Sequence, residues 1–114
     1  MKPLVLFVID ADPRINGRAV EAIRIAVGIA AWRRVEVAVY LAGAAVLVAA
    51  ENVDDLVEAD NLVRYTPLLR ELGRPIYIDS AFEPRLTETT LPIEAIDRTG
   101  LGALAALSTF LLRF

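Results

Sequence analysis

Cysteine and histidine are both absent from this 114-residue chain, and lysine occurs once, at position 2. Without cysteine there is no disulfide framework, no thiolate nucleophile, no Fe–S cluster and no thiolate zinc site. Without histidine there is no Ser-His-Asp triad, no imidazole acid or base and no imidazole-bound metal. Long hydrophobic runs are missing too. The apolar run Leu4–Ile9 stops after six residues at Asp10, too short for the core of a secretion signal. The longest uncharged stretch, Val37–Ala50, has 14 residues against the ~20 that a spanning helix needs. It holds Gly43 and six alanines, a composition for strand, turn and buried helix. Neither export nor membrane insertion is expected, which predicts a cytoplasmic protein. Basic character is also missing: 12 Lys and Arg against 15 Asp and Glu leave a net charge of −3, with no footprint for nucleic acid.

What remains for chemistry is carboxylate, guanidinium, tyrosine and hydroxyl. What remains for structure is abundant apolar surface. Hydrophobic residues make up 56% of the chain, above the usual ~45–50%. The length is right for one domain, residues 1–114, able to build its own core. A domain this small cannot hide so much apolar surface alone, so a buried subunit interface is expected.

Five segments have strand character. Leu4–Ile9 is apolar throughout, the pattern of a strand covered on both faces. Val35–Leu41 is broken only by Glu36, and Pro75–Asp79 follows the helix-stop signal Gly73. Leu91–Ile96 and Ser108–Arg113 complete the set. Helical patterns fall between them. The first starts at a cap on Asn16 and runs to about Trp32, with Val20, Ile23, Val27 and Ala30 along one face. A second lies within Gly43–Glu51. A third runs from the acidic segment to Leu72, with a break expected at Pro67. Short helices are expected around Thr87–Thr90 and over Thr99–Leu107. Strands alternating with helices predict an open parallel sheet with helices on both faces, and ligands in such sheets bind at the carboxyl ends of the strands. That rule singles out residues 10–16, 42–45, 79–85 and 97–99.

Each motif has a functional and a structural reading. Gly100-Leu-Gly102-Ala-Leu-Ala105 matches a dinucleotide fingerprint in spacing. Such a site needs a following strand with an acidic ribose ligand about 20 residues on, and only nine residues follow, none acidic. The glycines therefore serve the start of a helix and close packing, and no cofactor is expected. The acidic stretch Glu51–Asp60 lacks the alternation and central glycine of a calcium loop; Asn52 as a cap, with acids in the first helical turn, accounts for it, and no metal site is expected. Asp10 and Asp12 follow the first strand and can act as an acid/base or binding pair, or as turn residues before Pro13. Arg14, Arg18 and the N–H groups near Asn16 and Gly17 can hold an anion, which the two aspartates would oppose. Asp79 and Ser80 end the third strand. Asp79 can serve as a ligand group or general base, or cap the next turn and pair with Arg85.

Taken in order, the segments resemble the DsrE/DsrF-like (YchN-like) family, which includes the Tus-type sulfur-relay subunits. The likeness spans most of the chain: the apolar first strand, NGRAVEAIRIAVGIAAW, VEVAVYLAGAAV, LLRELGRPIYIDSAFEPRL and TETTLPIEAIDRTGLGALAALSTFLLRF. It implies a three-layer α/β/α sandwich with a five-stranded parallel sheet, assembled as a trimer or hexamer. Sulfur-transferring members carry a reactive cysteine just after the strand matched by Ile76–Ile78, where this chain has Asp79. Many relatives have a Gly-Asp turn where this chain has Gly43-Ala44. A carboxylate cannot carry a persulfide, so thiol-based sulfur transfer by this chain alone is excluded. The expectation is a non-catalytic homo-oligomer that binds a small ligand or protein partner through Asp10, Asp12, Asn16, Asp79, Ser80 and Arg85. The rivals are a cysteine-free scaffold subunit of a mixed sulfur-relay complex and a small enzyme using Asp79 as base or nucleophile.

Overall fold

The computed structural model describes residues 2–50, 53–85, 89 and 91–114, with the backbone alone at 83–85. Five short strands carry the apolar segments of the sequence: β1 (Leu4–Ile9), β2 (Glu36–Leu41), β3 (Ile76–Asp79), β4 (Ile93–Ile96) and β5 (Phe110–Arg113). They form one sheet in the order β4-β3-β2-β1-β5, and every pair is parallel. The chain steps outward from β1 to β4 one neighbour at a time, then returns across the sheet to lay β5 on the free side of β1. All five carboxyl ends therefore share one edge.

The two faces of β1 and β2 are both apolar, as their sequences require. Val5, Phe7, Ile9, Val37, Val39 and Leu41 point into a core built with α1 (Arg18–Ala31), α2 (Ala59–Tyr65) and the 3-10 segments Gly43–Ala49 and Thr66–Leu72. Leu4, Leu6, Ala38 and Tyr40 point the other way, against α3 (Arg98–Leu107), which contributes Leu104. The second core is much the thinner, because the return connection alone covers that face. Apart from the phenol of Tyr40, no polar or charged side chain is buried among the described residues, so burial is driven by apolar surface. Among the described residues no helix is long and apolar enough to cross a membrane.

Helix boundaries depart from expectation at four places. Asn16 sits one residue before the cap: Gly17 takes that position, and the Asn16 side chain accepts the Arg18 N–H at 3.0 Å. The orphan donor of the first turn is still satisfied. The stretch after β2 is 3-10 rather than α, a geometry suited to so short a run. The acidic segment is not the first turn of a helix. Residues 54–58 form turns, and α2 begins only at Ala59, after Glu58 in a left-handed conformation (φ 63°). Asn52, the expected cap, lies outside the described residues. Ser80–Arg85, to which the sequence assigns no helix, is a 3-10 segment, whereas most of the helix expected at 87–90 lies outside the described residues. The break foreseen at Pro67 is present as a change from α2 to 3-10 winding at Thr66.

Gly43 turns the chain out of β2 at φ +54°, a region that side chains with a Cβ adopt at a cost of roughly 1–2 kcal/mol. A Cβ there would find ordinary room, its nearest neighbour being Phe82 Cζ at 4.0 Å. The penalty is thus in the backbone, partly offset by a less flexible unfolded chain. Gly43→Ala is expected to lower the unfolding free energy by about 1 kcal/mol in urea titration. No loss would mean that the turn is not left-handed.

Candidate functional site

The connections after β1 and β2 fold back over one face of the sheet, whereas the chain leaving β4 enters α3 on the other. Such a divergence opens a crevice at the carboxyl edge. A cleft of about 950 Å³ lies there on the α3 side, and all five strands or their ends contribute to it.

Strand register explains which side chains meet in the cleft. Tyr40 pairs with Val8 on one side and Tyr77 on the other, and Val8 pairs with Arg113, so one row crosses the sheet on the α3 face. Asp79, two residues beyond Tyr77, shares that face because side chains alternate along a strand. Asp10, Ser80, Asp97 and Arg98 come from the strand ends and the start of α3, and Val8, Ala42, Leu101, Ala105 and Leu111 form apolar wall.

The charged groups are partly engaged. Arg113 donates from Nε and Nη2 to Asp10 Oδ2 at 3.0 and 2.7 Å. Backbone bonds brace the same corner, since the Asp10 and Ala11 N–H groups both donate to the Phe114 carbonyl. Asp79 Oδ1 accepts the Ala81 N–H at 3.0 Å, the local turn bond expected of an aspartate at this position. Asp97 caps α3 by accepting the Gly100 N–H at 2.9 Å. Tyr40 is only 5% exposed, and its hydroxyl makes no hydrogen bond among the described residues. Burial, with a smaller contribution from the Asp79 charge, holds its phenol above the ordinary ionisation range.

The raised phenol sets a sign for pH dependence. Between about pH 10, where a free tyrosine ionises, and the higher value in the fold, the unfolded chain binds fewer protons than the native one. The stabilisation associated with neutral Tyr40 is complete below that window and is lost as pH rises through it. Phenolate absorbance combined with urea unfolding should show this loss, and Tyr40→Phe should make the alkaline decline shallower. An identical decline in the variant would contradict the burial of the phenol.

Of the residues expected at a site, Asp10, Asp79 and Ser80 line the cleft. Asp12 does not. Its carboxylate accepts the Arg14 N–H at 2.9 Å and grips the Arg14 guanidinium at 2.7 Å, and its carbonyl accepts the N–H groups of Ile15 and Asn16. That is the turn reading of Asp12-Pro13, and Arg14 is taken up in it. Asn16 stands at the start of α1, away from the cleft, and the Arg85 side chain lies outside the described residues. Sequence reasoning missed Tyr40, Asp97, Arg98 and Arg113 as cleft residues. The strand-end rule had already marked residues 97–99, but Tyr40 reads as core, and nothing local brings Arg113 across 103 positions to Asp10. The close packing expected of the glycines holds for Gly100, where a Cβ would stand 3.0 Å from Ile96 Cβ, and not for Gly102, which has nothing within 4 Å. Among the described residues no group of three carboxylates is placed to hold a metal ion.

A second hollow, about 410 Å³, lies at the opposite edge of the sheet among Lys2, Glu36, Leu68 and Glu71. The amino ends of the strands lie there, away from every residue singled out above.

No family model matches the sequence, and no curated protein matches it. The solved structures do. The chain is similar to the crystal structure of the YchN protein from E. coli, with a TM-score of 0.80 over 100% of both chains and 16% sequence identity. The fold is YchN-like, as the order of segments in the sequence implied.

Proposed function

We propose that this chain is a non-catalytic DsrE/DsrF-like protein that works as a cytoplasmic homo-oligomer and takes a small ligand in the cleft at the carboxyl edge of its sheet. The observation that carries this reading is Asp79. It stands in the cleft at the place where, by the resemblance in sequence, sulfur-transferring relatives hold their reactive cysteine. The family's pocket would thus be kept and its nucleophile replaced by a group unable to carry sulfur.

Assembly has its own support. Large apolar side chains are exposed singly at Ile15, Trp32, Val63 and Leu68, but they gather at the end of the chain: Leu107 is 73% exposed and Phe110 59%, with Leu111 and Leu112 beside them. These residues sit on α3 and on the edge strand β5, whose outer backbone is unpaired among the described residues. An exposed apolar sheet edge is normally covered. Sedimentation equilibrium should return three or six copies, and Phe110→Glu with Leu112→Glu should shift the mass towards one. A wild-type monomer at micromolar concentration would overturn the oligomer.

The same apolar edge favours one other reading, a cysteine-free scaffold subunit that covers it with a related chain. Co-expression with a cysteine-bearing relative separates the two. A stable mixed complex supports the scaffold, and self-assembly that ignores the relative supports the homo-oligomer.

A further inference from the structure

Tyr40 poses a question that the fold does not answer. A buried phenol normally finds a hydrogen-bond partner, because the hydroxyl loses its water on burial. Tyr40 is 95% covered yet has no such partner among the described residues, and it lines the cleft. Its hydroxyl oxygen is not among the buried unpartnered side-chain atoms, so the phenol keeps its body in the core and turns its polar tip to the cleft, free to bond water or a ligand there.

The surrounding charge defines the occupant. Three carboxylates, Asp10, Asp79 and Asp97, face two guanidinium groups, Arg98 and Arg113. Arg113 is held by Asp10, so this pair nearly cancels. Asp97 caps α3, and its negative charge meets the positive end of the helix dipole, which makes the start of α3 a poor seat for an anion. Asp79 has one oxygen on the Ala81 N–H and no cationic partner among the described residues. The remaining balance is Asp79 and Asp97 against Arg98, which favours a cation. The carboxylates are not grouped to bind a bare metal ion among the described residues, and the wall between them is apolar.

We propose that the cleft binds a small organic ammonium ion with a short apolar body, its N–H groups shared between the Asp79 carboxylate and the Tyr40 hydroxyl oxygen. The body of the ligand lies along Val8, Leu101 and Leu111. This inference rests on the cleft being a ligand site, and adds the chemical class of the ligand.

The test uses n-hexylammonium, n-hexanoate and n-hexanol, three probes with one tail and different heads, followed by amide chemical shifts of the full chain. Hexylammonium should shift Asp79–Ala81 and Leu101–Ala105, with a Kd on the order of millimolar for so small a ligand. Hexanol and hexanoate should bind at least about tenfold more weakly, the scale of one charge-assisted hydrogen bond. Asp79→Asn should weaken hexylammonium by about tenfold and Tyr40→Phe by roughly threefold, while Asp12→Asn, outside the cleft, changes nothing. If Asp79→Asn does not fold, Tyr40→Phe alone carries the comparison. Hexanoate binding the same amides as tightly as hexylammonium, or an affinity untouched by the cleft variants, overturns the ammonium assignment and leaves the cleft a ligand site. Perturbation of no cleft amide by any probe removes both.

Discussion

Phe7→Ala is expected to lower the unfolding free energy by about 3–5 kcal/mol, roughly a fifth or more of what a domain of this size usually has. Phe7 is fully buried in β1, which lies between β2 and β5, with Val39 and Leu112 as its strand partners. Its ring stacks on Phe114 with centroids 5.9 Å apart and planes 12° from parallel. Truncation would leave a cavity under α1 and remove an aromatic pair worth roughly 1 kcal/mol beyond its buried area. It would also loosen the end of the chain, since the Phe114 carbonyl accepts the N–H groups of Asp10 and Ala11. Urea titration should show the midpoint falling with the slope unchanged. A loss under about 1 kcal/mol would mean that β1 is not an interior strand of the sheet.

Leu104→Ala should cost about 2–5 kcal/mol, although α3 is a short helix on the thin side of the molecule. Leu104 is the buried residue of α3, packed on Leu4, Leu6, Ala38 and Tyr40. It holds the return connection against the sheet and thereby fixes one wall of the cleft. Val63, 60% exposed on α2 and apart from the apolar edge, supplies the control, and its change to alanine should fall within about 0.5 kcal/mol. Amide hydrogen exchange adds a second readout. In Leu104→Ala the α3 amides should lose protection before those of α1, because only the second core is breached. Equal loss in both helices would contradict a two-sided core.

The ease with which the fold is read from sequence has a local cause. Strands buried on both faces must be apolar at every position, and Leu4–Ile9 and Val37–Leu41 are. Gly73, with φ +77°, ends the segment before β3, and Asp97 caps α3 through a side-chain bond that spans three residues. Such signals lie within a few positions of what they control. Strand order and register do not. The pairing of β5 with β1 joins opposite ends of the chain, so the Asp10–Arg113 contact has no local trace. Tyr40 was hidden for a different reason. An aromatic residue in a β-branched run is indistinguishable from core until the opposing face proves to be only partly covered. Asp12 misled in the other direction, since an aspartate just past a strand serves a turn as readily as a site, and here it holds Arg14.

The missing cysteine gains a location in the same way. As composition it removes thiol chemistry from the whole chain, but the resemblance in sequence assigns the absence to Asp79, and the fold sets Asp79 in an open cleft beside Tyr40. The central claim is that this cleft is a binding site. A crystal structure of the full chain grown with n-hexylammonium tests it most directly. The account predicts density for the probe within hydrogen-bond distance of both the Tyr40 hydroxyl and the Asp79 carboxylate, with its tail against Leu101. A cleft filled by the protein's own side chains, or the probe bound only elsewhere on the molecule, would contradict it.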